Sequence, residues 1–178
     1  MRNRKFYVID LFAGCGGLSE GFTQAGFDVI AQVEMDRWAC ETLETRHMYY
    51  ALKEIKKEYI YNKYLKEEID KKEILYYKFE EIGESISYKV IQATLGDDEK
   101  PEVLKKIELT RKYHRAPKFH VLLGGPPCQP YSLAGRARDP LRMENDERHF
   151  LYRHYLEILE RIYSAIARGE KVGLKSSE

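Results

Sequence analysis

The sequence predicts an α/β fold in which a parallel sheet carries helices on both of its faces. Three short apolar runs of strand length indicate the sheet, at residues Phe6–Phe12, Asp28–Glu34 and Phe119–Leu123. A fourth and weaker strand candidate is Tyr88–Leu95. Glycine turns or segments with helical spacing separate these runs. We therefore expect parallel strands in the order 3-2-1-4, joined by right-handed helical crossovers.

Length and composition suit one soluble globular domain, since the chain has 178 residues, 43% of them hydrophobic and 33% charged. The formal net charge is +1, so bulk charge does not indicate a nucleic-acid partner. Three cysteines stand far apart without metal-ligand spacing, which predicts free thiols, a reducing compartment and no metal site. No signal-peptide pattern begins the chain, and no stretch approaches the roughly 20 apolar residues of a membrane span. A cytoplasmic location is expected.

The first strand candidate is almost continuously apolar, as is typical of a strand buried on both faces. Ala13–Gly17 interrupts it, and Leu18–Ala25 has helical spacing up to Gly26, which suits a C-cap. A strand, a glycine turn and a helix open a nucleotide-binding α/β fold. The third glycine of the dinucleotide fingerprint is missing, and so is a Gly-Lys-Ser/Thr phosphate cradle. These glycines let a ligand approach the backbone closely without requiring that it carry phosphate.

The second strand candidate ends on the carboxylate of Glu34. In α/β folds an acid at this place accepts the hydroxyl pair of a ribose, and a solvated strand end is the alternative. The segment Asp36–His47 then predicts a helix, with Asp36 as its N-cap. The apolar side of this helix is expected to carry Trp38, Ala39 and Leu43.

The segment Met48–Glu81 is dense in Lys, Glu and Tyr, with acids and bases in balance. We expect one or two surface helices that pack loosely on the body, as part of a helical insertion over residues 48–87. A nucleic-acid surface is the weaker alternative, because the acids cancel the bases. The apolar positions near helical spacing are Leu52, Ile55, Tyr59, Leu65 and Ile69.

A turn and a helix separate the weak strand candidate from the last one. Gly96 and Asp97 follow that strand directly, while Asp98 with Pro101 is equally compatible with the start of a helix. The segment Glu102–His114 then predicts a charged helix.

A stiff loop follows the last strand candidate and holds a cysteine. Gly124 and Gly125 end the apolar run, and three of the next five residues are prolines, which restrict φ and remove backbone donors. Cys128 lies among them. Such rigidity around one thiol favours a nucleophile over an inert buried cysteine. A thiol with a pKa of about 8.5 needs activation, and the sequence places no histidine to supply it.

Two segments resemble motifs of the C5-cytosine DNA methyltransferases, and they stand in that family's order. Gly124–Ser132 (Gly-Gly-Pro-Pro-Cys-Gln-Pro-Tyr-Ser) resembles the family's Pro-Cys-Gln motif, and Asp10–Phe22 (Asp-Leu-Phe-Ala-Gly-Cys-Gly-Gly-Leu-Ser-Glu-Gly-Phe) resembles its first motif. The segment Asp146–Tyr152 resembles a further motif, Asp-x-Arg-x-x-Leu-Phe/Tyr. The resemblance implies a Rossmann-like S-adenosylmethionine-dependent methyltransferase fold with a truncated parallel sheet.

The same resemblance implies a DNA (cytosine-5)-methyltransferase of the restriction-modification kind. Cys128 would add to C6 of a flipped-out cytosine, which makes C5 nucleophilic toward the methyl group of S-adenosylmethionine. Phe12 would pack on the adenine, Glu34 would bind the ribose, and Asp97 would accept the adenine amino group. The implied cofactor residues are Asp10, Phe12, Ala13, Gly14, Gly16, Gly17, Glu34, Met35, Asp97, Pro126 and Leu151. The implied DNA contacts are Gln129, Ser132, Arg136 and Arg138.

The resemblance covers residues 1–168, which correspond to the N-terminal part of the family's catalytic domain, and leaves 169–178 as a polar tail. The family continues with a Glu-Asn-Val strand, whose glutamate contacts N3 of cytosine, and with a target-recognition region. Neither stands in these residues. This implies a truncated chain that is inactive alone or needs a second polypeptide, and an exposed sheet edge predicts self-association. A tRNA cytosine-5 methyltransferase and a non-catalytic cofactor-binding subunit are the alternatives.

Overall fold

A parallel sheet of four strands is the framework of the protein in a computed structural model, which describes residues 5–126 and 150–167. The strands are β1 (Tyr7–Leu11), β2 (Asp28–Glu34), β3 (Val90–Gln92) and β4 (Val121–Gly124). Their order is β3-β2-β1-β4, with every neighbouring pair parallel. The predicted fold class and strand order are therefore confirmed.

Helices connect the strands and pack on both faces of the sheet. The helical elements are α1 (Gly17–Gln24), α2 (Arg37–Glu54), α3 (Glu58–Leu65), a π-helical segment (Glu73–Lys78), α4 (Glu80–Lys89), α5 (Lys100–Tyr113) and α6 (Leu151–Ala167). Within the described part of the chain, no helix is both long enough and apolar enough to cross a membrane.

Successive residues of β1 contribute to different hydrophobic clusters, because side chains alternate between the faces of a strand. Val8 packs with Val29 and Leu123 beneath the aromatic rings of Phe22 and Phe27. Ile9 and Leu11 belong to a larger cluster on the other face, which α5 and α6 cover. Those helices contribute Val103, Leu104, Ile107, Ile158 and Ile162.

Helix α1 ends in a Schellman motif at Gly26, as the C-cap prediction required. Gly26 has φ 87°, and its N–H donates to the Thr23 carbonyl at 3.0 Å. The next N–H, of Phe27, donates to the Phe22 carbonyl at 3.0 Å, and the two phenyl rings lie 5.1 Å apart. This hydrophobic contact accompanies the motif in many helices and directs the chain into β2.

Helix α2 is longer than predicted, since it runs to Glu54 and includes the first residues of the insertion. Asp36 is its N-cap, accepting the Ala39 N–H at 2.7 Å, as predicted. Leu43 is buried, but Trp38 is 68% exposed, so the prediction of an apolar position at Trp38 is wrong. Leu43 follows Trp38 by five positions, which places them about 140° apart around the helix. The Arg37 guanidinium lies 5.3 Å from the Trp38 ring instead.

The prediction that the insertion packs loosely is also wrong, because it forms a hydrophobic cluster of its own against α2. The buried members of this insertion cluster are Met48, Leu52, Ile60, Ile69, Ile74, Leu75 and Ile86. Three positions assigned to the apolar side, Ile55, Tyr59 and Leu65, are exposed. Lys56 and Glu67, both with positive φ, lie between the helical elements, so one helical phase does not continue across the segment.

The third strand is much shorter than the predicted Tyr88–Leu95, because α4 continues to Lys89. Tyr88 is part of that helix, and its ring stacks on Tyr113 of α5 at 4.2 Å. The Thr110 hydroxyl donates to the Tyr88 carbonyl at 2.6 Å. Contacts with α5 therefore stabilise helical backbone where local strand propensity favoured an extended one. On the opposite edge, β4 pairs with β1, and self-association through β4 stays a prediction.

We predict that Leu52→Ala lowers the free energy of unfolding by about 2–5 kcal/mol, because it leaves a cavity in a closed cluster. Leu52 has no exposed surface, whereas Leu65 of the same insertion is 61% exposed. The matched Leu65→Ala change should cost no more than about 0.5 kcal/mol. Urea denaturation of both variants measures the difference. Equal, small effects would show that the insertion packs loosely after all.

Candidate functional site

The carboxyl ends of β1 and β2 meet at one edge of the sheet, where ligands bind in open α/β folds. Phe12 and the glycine turn follow β1, and Glu34 is the last residue of β2. The Ala13 N–H donates to the Val33 carbonyl at 3.1 Å, which holds the start of the turn against β2. The predicted residues of the first motif and Glu34 therefore lie together.

The turn between β1 and α1 depends on left-handed backbone conformations. Phe12, Gly14 and Gly16 have φ angles of 58°, 53° and 80°. The Gly16 N–H donates to the Ala13 carbonyl at 2.9 Å, and the Gly16 carbonyl accepts the Glu20 N–H at 2.9 Å. Gly16 is thus the N-cap of α1. A positive φ is strained for a residue as bulky as Phe12, which packs half-buried against the larger core cluster.

The Glu34 carboxylate joins the two loops that border this edge. Its Oε2 accepts the Gly14 N–H at 2.8 Å, and its Oε1 accepts the Asp36 N–H at 2.8 Å. An ionised carboxylate has about four acceptor positions, so two further hydrogen bonds can form. The sequence predicted an acceptor of ribose hydroxyls here but missed these backbone contacts, which have no sequence signature.

Asp10 lies beneath the glycine turn and not on its surface, since it is only 1% exposed. Its Oδ2 accepts the Ser19 hydroxyl from the first turn of α1 at 2.5 Å. Burial raises the pKa of Asp10, the Ser19 hydrogen bond opposes that rise, and the charge of Glu34 adds to it. The arrangement lets Asp10 position α1 relative to β1; a direct ligand contact stays a prediction.

Cys40 is a buried thiol next to the site that the sequence analysis did not single out. Its Sγ donates to the Glu34 backbone carbonyl at 3.4 Å. Burial, followed by the negative charge of Glu34, raises the pKa of Cys40 to about 11, so the thiol stays protonated at neutral pH. Cys15 in the glycine turn is exposed, and both are free thiols, in agreement with the prediction.

Open space borders part of the turn. A Cβ atom added to Gly14, Gly17 or Gly125 would meet no heavy atom within 4 Å. A Cβ on Gly16 would approach Cδ2 of Leu43 to 2.7 Å, so Gly16 allows α2 to pack against the turn. Met35 lies at the rim and is 64% exposed, while Ala13 is buried. Gly14 and Gly17 thus leave backbone accessible to a ligand, and Gly16 shapes the turn from within.

Asp97 and the start of α6 lie near each other, while the cofactor roles of Asp97 and Leu151 stay predictions. The Asp97 side chain is 85% exposed, and its Oδ1 accepts Lys100 Nζ at 3.0 Å. This hydrogen bond and the Lys100 charge lower the pKa of Asp97. Nδ1 of His154 is 3.6 Å from the same oxygen, and Leu151 precedes His154 by one turn of α6.

Other predicted residues lie outside the described ranges or at their boundary. Pro126 is the last described residue before position 150 and is partly exposed. His120, the histidine nearest to Cys128 in the sequence, directly precedes β4, and its Nδ1 accepts the Tyr7 N–H at 3.1 Å. The residues whose predicted roles fall outside the described chain are Cys128, Gln129, Ser132, Arg136 and Arg138.

Comparisons with known proteins agree with the resemblance in the motifs. The model of the family "C-5 cytosine-specific DNA methylase" matches residues 6–77 and 77–166. The type II methyltransferase M.Bpa9945I of Bacillus paralicheniformis is 34% identical over 166 residues, covering 86% of this chain and 37% of the relative. M.FnuDI of Fusobacterium nucleatum is 28% identical, with 93% and 32% covered. M.HgiGI of Herpetosiphon aurantiacus is 31% identical, with 78% and 71% covered.

The chain spans about a third of the length of the first two of these relatives, at 37% and 32%. No solved structure matches the chain significantly.

We predict that Gly16→Ala lowers the free energy of unfolding by about 1–3 kcal/mol, since a side chain at this φ is strained and displaces Leu43. The neighbouring Gly17→Ala is the matched control. Gly17 begins α1 with open space around its Cβ position, so alanine there should be neutral or stabilise by up to about 1 kcal/mol. Guanidinium denaturation of both variants measures this. Equal stabilities would contradict the described turn.

Proposed function

The chain belongs to the C-5 cytosine-specific DNA methylase family, and on that premise we propose that it forms the cofactor-binding, nucleophile-bearing part of a DNA (cytosine-5)-methyltransferase. The methyl donor in this proposal is S-adenosylmethionine, and the substrate is cytosine in DNA. The strongest support for this proposal is the position of the Glu34 carboxylate. The Glu34 carboxylate ends β2, binds the Gly14 N–H and retains acceptor positions beside open glycine backbone.

The residues at this edge of the sheet fit a nucleoside that carries an amino-acid side arm. A carboxylate with remaining acceptor positions suits a ribose hydroxyl pair, and the exposed backbone at Gly14 and Gly17 suits a ligand in close contact. The exposed thioether of Met35 can cover one face of an adenine. We assign the adenine end also to Phe12, Asp97, Pro126 and Leu151.

When bound, the cofactor supplies an electrophilic methyl group attached to a sulfonium sulfur. Loss of this methyl group leaves that sulfur as a neutral thioether. The Cys128 thiolate adds to C6 of the cytosine and forms an S–C6 bond, and the electron pair of the C5=C6 bond becomes available at C5. After C5 is methylated, its proton leaves, the C5=C6 bond forms again and the thiolate is released. No group is oxidised or reduced, and one proton is the by-product.

The position of Cys128 in the chain supports this role, because β4 ends at Gly124, four residues before it. The carboxyl end of β4 lies beside that of β1, since Gly124 pairs with Leu11. The loop after β4 therefore begins at the same edge of the sheet as the glycine turn. Arg136 and Arg138 are suited to phosphate contacts, and we assign Gln129 and Ser132 to the DNA as well.

The family description specifies DNA, and the relatives are type II methyltransferases, which favours DNA over tRNA as the substrate. The 178 residues contain no Glu-Asn-Val sequence. We therefore propose that these 178 residues need a further polypeptide segment, which contains that sequence, to complete the cytosine-binding site.

We predict that Glu34→Ala weakens the binding of S-adenosylhomocysteine about ten- to a hundredfold, because charge-assisted hydrogen bonds to a ribose are worth about 1.5–3 kcal/mol. Glu102→Ala, which removes an exposed glutamate from α5, is the control and should leave the affinity unchanged. Isothermal calorimetry measures both. Equal affinities for wild type and Glu34→Ala would remove the observation on which the proposal depends.

We further predict that the 178-residue polypeptide alone forms no covalent adduct with DNA that contains 5-fluorocytosine. An acid that stabilises the adduct contributes about 10²–10⁴-fold in rate, and positioning contributes more. An adduct stable in denaturing gels should form when S-adenosylmethionine is present and a C-terminal segment of a relative is supplied as a second polypeptide, because the fluorine that replaces the C5 proton cannot leave after methylation. Cys128→Ser should abolish it and Cys15→Ser should not. An adduct that survives Cys128→Ser would show that another residue is the nucleophile.

A further inference from the structure

Lys100 is a buried cation in an unfavourable place. It is the first residue of α5, its side chain is 8% exposed, and the amino end of a helix carries partial positive charge. Burial by itself lowers the pKa of this ammonium, but hydrogen bonds and charges from Glu157 and Asp97 outweigh the burial and raise it. Two carboxylates therefore compensate a position that would otherwise disfavour a lysine.

These carboxylates come from two separate parts of the fold. Asp97 belongs to the loop between β3 and α5 and accepts Lys100 Nζ at 3.0 Å, and Glu157 belongs to α6 and accepts the same nitrogen. Glu157 is 57 residues from Lys100 in the sequence. The ion pair thus connects the loop that carries Asp97 to the helix that begins at Leu151.

A histidine completes this cluster. Nδ1 of His154 is buried, lies 3.6 Å from Asp97 Oδ1, and has no hydrogen-bond partner among the described residues. The ligand atoms of Asp97, His154 and Glu157 lie within 4.8 Å of one another, a spacing that suits a cation. The Lys100 ammonium, in contact with both carboxylates, is that cation. Oδ2 of Asp97 makes no hydrogen bond within the described chain, so it can accept from a ligand.

We propose that Lys100 is a positioning residue for the nucleobase end of the cofactor site: it holds Asp97 against α6 so that the second carboxylate oxygen accepts the amino group of an adenine. The inference rests on the proposed function, because it takes the ligand to be an adenosyl compound. Lys100 itself does not touch the ligand. Its effect is on base selectivity, since an adenine donates from its 6-amino group and a hypoxanthine has an accepting carbonyl there.

The test compares S-adenosylhomocysteine with S-inosylhomocysteine by calorimetry on the full 178-residue chain. Wild type should prefer the adenosyl compound about ten- to a hundredfold, as expected for a hydrogen bond to a charged acceptor. Lys100→Met should reduce this preference to about threefold or less. The control Lys105→Met removes an exposed lysine from the same helix and should keep the wild-type preference.

A second variant keeps the test decisive if Lys100→Met fails to fold. Glu157→Gln removes the charge on α6 and leaves the Lys100–Asp97 pair in place, and it should also reduce the preference. A purely structural role would weaken both compounds equally and leave their ratio unchanged, which would overturn the inference. Equal wild-type affinities for the two compounds would overturn it too, while the cofactor site stands. Failure of the wild type to bind either compound would overturn the proposed function and this inference with it.

Discussion

The Glu34 carboxylate is the interaction on which the arrangement of the candidate site depends. It accepts the N–H of Gly14 in the turn after β1 and the N–H of Asp36 at the start of α2, each at 2.8 Å. Both donors would otherwise be orphaned groups at loop or helix termini. Hydrogen bonds to a charged acceptor are roughly twice as strong as neutral ones. The Glu34 side chain therefore holds together the turn after β1 and the start of α2, which are not paired as β-strands. The glycine turn and the adjacent helix are thereby held before any ligand binds.

Buried polar pairs support the turn from below. Asp10 binds Ser19, and Oε1 of Gln32 lies 2.6 Å from Nε2 of His47 on α2. Burial, reinforced by the positive charges of Lys89 and Arg46, lowers the pKa of His47 well below its ordinary value, so a neutral imidazole donates to Gln32 at physiological pH. Buried polar groups are costly unless they are paired, and these pairs connect β1 and β2 to the helices above them. These hydrogen bonds therefore fix the positions of the strands and helices that border the candidate site.

Two further features stabilise the edges of this framework. The insertion cluster around Leu52 and Ile74 extends the core beyond the sheet and anchors the long helix α2. On the other side, Tyr155 of α6 packs over Gly124, where a Cβ would approach the tyrosine ring to 2.6 Å. The absence of a side chain at Gly124 lets α6 lie close to β4, which in turn brings Glu157 within reach of Lys100.

Local chemistry in the sequence determined the elements that depend on neighbouring residues. These are the glycine turn, the N-cap at Asp36, the end of α1 at Gly26 and the apolar runs of the buried strands. The tertiary structure decided what depends on contacts between distant residues. Tyr88 is helical because it stacks on Tyr113, and Trp38 is exposed because α2 turns its opposite side to the core. Lys100 meets Glu157 only because α6 packs across β4, a contact over 57 positions that no local pattern encodes.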